Sequence, residues 1–141
     1  MLNRIIPYWY GTTWSFEGHT NYPKEGSIAC GYFASSTLKH AGLNLNRFRL
    51  AQQGPYDEAK SLSEGDTVYT FLNSHRDKVS EFIKKDLEEG LYFAGLSNHV
   101  WFLLYQMGEL FFIHSNFMSP YQVVIVQADQ SAAFFTLQTI I

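Results

Sequence analysis

The feature that most constrains this chain is a change of hydrophobic period at Gly90. Before it, apolar residues recur at helical spacing; after it, they come in short β-type runs separated by turn residues. Ser27 to Ala41 reads as a helix capped by Ser27 and stopped by Gly42, with Cys30, Ala34, Thr37, Leu38 and Ala41 on one stripe. Ile28, Tyr32, Ser35 and Lys39 fall on its other sides. Residues 1–26 read as irregular, Leu43 to Pro55 as a polar connection, and Asp66 to Leu72 as either helix or strand. Val79, Phe82, Ile83 and Leu87 share a face and predict a helix over His75 to Leu87. Strands are then predicted over Leu91–Ala94, His99–Tyr105, Leu110–Ser115 and Tyr121–Gln127. A short helical turn is expected within Asp129–Phe135 and a closing strand within Leu137–Ile141. Helix first and antiparallel sheet after is the α+β class. No repeat or low-complexity linker interrupts residues 1–141, which predicts a single domain.

Composition narrows the partners. Of 141 residues 46% are hydrophobic, enough for a sizeable core, and 17% are aromatic, so that core or a cleft is built from rings. The net charge of −3 and the scattered Lys and Arg speak against a nucleic-acid partner. The longest apolar run, Val100 to Tyr105, is far too short for a transmembrane helix. Met1 to Pro7 lacks the apolar core of a secretory signal.

Cys30 is the chain's one cysteine, so no internal disulfide forms. It falls in the first turn of the predicted helix, where unpaired N–H groups and the helix dipole favour a thiolate. Such chemistry also needs a base and a group that orients the base. His99, directly after the polar turn Leu96-Ser97-Asn98, suits the base, and His114, at the end of the next strand, suits the orienter. A two-residue turn at Met107-Gly108 pairs Gln106 with Glu109 and puts His99 opposite Asn116. His114 then lies on the same side of the hairpin as His99. His19, His40 and His75 read as structural or surface residues. One cysteine and no closely spaced histidine pair argue against zinc, and no P-loop or dinucleotide fingerprint is present, so no cofactor or metal is expected.

The order of these landmarks resembles the NlpC/P60 group of papain-like cysteine peptidases. Tyr8-Trp9-Tyr10-Gly11-Thr12 is similar to that family's first element, and Ala29-Cys30-Gly31-Tyr32-Phe33 to its nucleophile segment. Gly42-Leu43-Asn44-Leu45-Asn46-Arg47, with Gln52-Gln53 after it, is similar to the stretch behind the nucleophile helix. Leu87 to Phe93 resembles the turn and strand before the histidine, His99 to Leu104 the base strand, and Phe112-Ile113-His114-Ser115 the third-residue strand. Ala29 and Gly31 replace the family's Asp and Ser around the cysteine, Trp101 replaces a glycine, and Asp57 to Asp86 forms a helical insertion before the histidine strand. The resemblance implies a papain-like fold, with the nucleophile helix packed on an antiparallel sheet, and a thioester mechanism acting on amide bonds of bacterial cell-wall peptides. It assigns Cys30 as nucleophile, His99 as base, His114 as orienter, and Tyr8 as a hydroxyl lining the site. Three alternatives stay open: thiol acyl transfer, lipid amide cleavage, and a binding or immunity module without chemistry.

Overall fold

The computed structural model describes residues 1–71, 75–96, 98–131 and 139–140. Leu72, Ser97, residues 132–138 and Ile141, on which parts of the predicted elements fall, lie outside them. The class is α+β with an antiparallel sheet, and the chain forms two compact units.

The first unit comprises Met1–Gln53 and His114–Ile125. It holds α1 (Ile6–Trp9), α2 (Cys30–His40) and α3 (Arg47–Ala51). The predicted helix is shorter than expected at its start. Residues 27–29 are extended because the N-terminal segment claims their backbone: Ile28 N–H donates to Thr13 O at 2.9 Å and Ala29 N–H to Gly18 O at 2.8 Å. Ser27 is therefore no cap; its Oγ bonds Ser15 Oγ at 2.7 Å, and Ala29 takes the cap position without a side-chain bond. The helix is also buried over a wider arc than a single stripe. Phe33, Ala34, Ser35, Ser36 and Thr37 are all buried, as is Ile28 before it, whereas Ala41 is exposed. Trp9 meets Phe33 edge-on at 6.2 Å and stacks on His40 at 6.3 Å. Gly31 faces α3 so closely that a Cβ there would lie 2.8 Å from the Ala51 carbonyl oxygen.

Two short helices depart from the expected coil. Pro7 in its first turn starts α1 in a region read as irregular. Asn46 caps α3 inside the polar connection by accepting from the N–H groups of Phe48 and Arg49, both at 3.1 Å.

The second unit comprises Gly54–Ile113 and Val126–Ile141. It contains α4 (Pro55–Ser63), β1 (Tyr69–Thr70), α5 (Arg76–Asp86), β2 (Gly90–Gly95), β3 (Val100–Gln106) and β6 (Thr139–Ile140). It also holds the Glu109–Ile113 part of β4 (Glu109–Ser115) and the Val126–Gln127 part of β5 (Val123–Gln127). The strand order is β1-β6-β2-β3-β4-β5, and every registered pairing is antiparallel. The ambiguous Asp66–Leu72 stretch thus resolves in part as the strand β1. The helix predicted over His75–Leu87 is α5, with His75 and Leu87 at its two caps.

The β3–β4 hairpin has the expected register, with Gln106 opposite Glu109. Met107 and Gly108 take φ of 52° and 73°, the left-handed pair of a two-residue turn that matches the strand twist. Period two then sorts the strands: Trp101, Leu103, Leu110 and Phe112 join Val79 and Ile83 of α5 in one buried cluster. Trp101 stacks on Phe112 at 4.4 Å. Phe102 and Leu104, on the opposite side of β3, are buried too, so this central strand reads as a continuous apolar run.

Candidate functional site

Cys30 is the first residue of α2 and is half-buried. Its position is set from both sides. Upstream, the Thr13 and Gly18 carbonyls hold Ile28 and Ala29 extended. Downstream, Phe33 N–H donates to Ala29 O at 2.9 Å and closes the first helical turn. Gly31, directly after the cysteine, lets α3 approach; a residue with a side chain has no room there, because its Cβ would lie 2.8 Å from the Ala51 carbonyl oxygen.

His114 lies in the same unit. It is 1% exposed near the end of β4, and burial pushes its pKa down from 6.5 to about 4, so the ring is neutral at pH 7. The next residue, Ser115, donates its hydroxyl to Ile28 O at 2.6 Å. That bond ties the strand end bearing His114 to the segment two residues ahead of Cys30. Asn116 N–H donates to Gln122 O at 3.1 Å and holds the following turn.

Tyr8 is also in this unit, in α1. Its neighbour Trp9 is buried against Phe33, while Tyr8 itself is 65% exposed.

His99 belongs to the second unit. β3 begins one residue later than expected, at Val100, so His99 ends the connection; its carbonyl accepts from Leu96 N–H at 2.7 Å. The imidazole is 3% exposed and meets the Trp101 ring edge-on at 5.2 Å. Trp101 therefore forms one wall of the histidine's surroundings.

The other histidines are accounted for locally. His19 Nδ1 lies 2.9 Å from Glu17 O, His40 stacks on Trp9, and His75 precedes α5. Among the described residues no group of three or more His, Cys, Asp or Glu is placed to hold a metal ion. No helix of the described residues is long and apolar enough to cross a membrane.

Three polar residues escaped the sequence reading. Glu58, in the first turn of α4, is 1% exposed, its Oε1 has no hydrogen-bond partner among the described residues, and burial raises its pKa to about 8. A carboxylate in a first turn ordinarily reads as a solvated charge favoured by the helix dipole, so nothing in the sequence marks its burial. Arg47 is 4% exposed and Ser36 2%. The asparagine cap before Arg47 was a usable signal for the helix that carries it inward. Comparison with protein-family models, with curated proteins and with solved structures yields no match for this chain.

Proposed function

We propose that this protein is a cysteine hydrolase that cleaves an amide or peptide bond, with Cys30 as nucleophile, His99 as base and His114 as the group orienting that base. The observation that carries the reading is the placement of Cys30 as the first residue of an eleven-residue helix whose cap position supplies no side-chain hydrogen bond. First-turn N–H groups and the helix dipole stabilise an anionic sulfur there. The Ser115–Ile28 bond adds support, because it holds the His114 strand end alongside the chain that leads into the nucleophile.

In this reading His99 takes the Cys30 proton and the sulfur attacks the substrate carbonyl carbon. Backbone N–H groups at the helix start, including that of Cys30, stabilise the oxyanion. Collapse breaks the C–N bond as His99 protonates the leaving amine, and water then cleaves the thioester to a carboxylic acid and restores the thiol. His114, neutral at pH 7, acts through a hydrogen bond and not through charge. The substrate class, bacterial cell-wall peptides, rests on the family resemblance.

The test is the pH dependence of Cys30 alkylation by iodoacetamide. An activated thiol titrates well below the ordinary value of about 8.5, and His99→Ala moves it back toward that value. Titration near the ordinary value in both proteins overturns the proposal.

A further inference from the structure

The first unit carries an uncharged face. Ile5–Phe16 and His114–Ile125 contain no Asp, Glu, Lys or Arg, in a chain that is 16% charged. The fold zips these two stretches together. Gly11 N–H donates to Val123 O at 2.9 Å, Val123 N–H to Thr12 O at 2.8 Å, and Trp14 N–H to Tyr121 O at 2.7 Å.

Beside the last of these bonds each stretch makes a tight turn. Gly18 N–H donates to Ser15 O at 3.1 Å, which puts Phe16 on the corner of one turn. In the other, Tyr121 N–H donates to Met118 O at 2.6 Å, and Met118 N–H to Asn116 Oδ1 at 3.0 Å. The Trp14 and Tyr121 rings, 6.4 Å apart, bring the two turns side by side. Phe16 is 83% exposed, and Phe117, Met118 and Tyr121 are exposed as well. Exposed apolar side chains gathered in this way mark an interaction site.

Charge and shape point to its occupant. Side chains that enter the boundary of a bilayer shed their water, which charged groups resist and these do not. Phe16 stands out from its turn instead of lining a cleft, a shape that a fluid surface accommodates. Trp and Tyr join an apolar body to a polar tip and settle at headgroup level. The residue beside Phe16 is the exposed Glu17, and the chain's net charge is −3. An anionic lipid surface therefore repels this face, and a zwitterionic one does not.

We infer that this face docks on the surface of a zwitterionic phospholipid bilayer. Phe16, Phe117 and Met118 enter the acyl boundary, and Trp14 and Tyr121 lie among the headgroups. The inference does not depend on the hydrolase reading, and its test needs no turnover.

The experiment titrates the full chain with vesicles of palmitoyl-oleoyl-phosphatidylcholine, followed by tryptophan fluorescence and by co-sedimentation. Of the chain's three tryptophans, Trp9 and Trp101 are fully buried, so the half-buried Trp14 is the reporter. A saturable blue shift is expected, with quenching by brominated acyl chains. Phe16→Ser is expected to weaken binding by about tenfold or more with Tm unchanged, and Phe16→Trp to preserve binding. Replacing part of the lipid with phosphatidylserine is expected to weaken binding at low salt. Absence of co-sedimentation overturns the proposal, as does unchanged binding by Phe16→Ser. Binding only to phosphatidylserine vesicles, abolished by salt, overturns the assignment to zwitterionic lipid. Self-association that Phe16→Ser abolishes, without vesicle binding, gives the face to a second copy of the chain and overturns the proposal as well.

Discussion

The Ser115 hydroxyl donates to the Ile28 carbonyl oxygen at 2.6 Å, joining two segments separated by 87 residues of chain. Both groups are buried. The bond therefore fixes the approach to α2 from the side of β4, and its loss leaves a carbonyl without its partner in a dry setting.

Ser115→Ala is expected to lower stability by about 1–3 kcal/mol, the cost of stranding a buried acceptor. Urea unfolding measures it. If the bond also steadies the segment that leads into Cys30, the same variant alkylates more slowly at Cys30 at fixed pH. A variant of unchanged stability would mean that water replaces the hydroxyl.

Glu58 makes the protein sensitive to alkali. Its carboxyl has a folded-state pKa of about 8 against 4.5 when unfolded. Between those values the unfolded chain has released the proton while the folded one keeps it, so stability falls as pH rises. The contribution is whole below 4.5 and is lost by the time pH passes about 8; it is on the order of 5 kcal/mol. Glu58→Gln is expected to remove that slope, as read from urea midpoints between pH 5 and 9.

His114 acts in the opposite direction. Its folded-state value of about 4 lies below the ordinary 6.5. Between the two, the unfolded chain binds a proton that the folded chain refuses, so stability falls as pH falls. The contribution is whole above 6.5 and is lost as pH drops through about 4, on the order of 3 kcal/mol. An NMR titration of the ring should show it neutral at pH 5, and His114→Gln should flatten the acid limb of the stability profile.

Arg47→Lys is expected to destabilise the first unit by about 1–3 kcal/mol, although the charge is kept. The planar fork spans Asn21, His19 and Thr20 and lies against two rings. An ammonium reaches fewer of these acceptors and does not stack. Thermal unfolding checks this.

The second half of the fold was legible because its signals are local. Period two, together with Met107-Gly108 between apolar runs, specified the β3–β4 register to the residue. The stripe Val79, Phe82, Ile83 specified α5 equally well. The start of α2 was misjudged for a non-local reason: Ser27 is a good cap by type, but Thr13 and Gly18 recruit the backbone after it into bridges. The burial of Arg47, Glu58 and Ser36 was illegible because polar residues carry no hydrophobic period. Of the candidate site, Cys30 at a helix start was readable; the tether from Ser115 to Ile28 was not, since a serine at a strand end has no partner written beside it.

The closeness of Gly31 to Ala51 has a mechanical consequence. Any side chain at the residue after the thiol would have to push α3 away from the start of α2, so the spacing of the two helices at the sulfur depends on that position staying bare. Laboratory evolution of this protein should therefore find position 31 frozen, while Ala29, one step on the other side of the thiol, tolerates exchange.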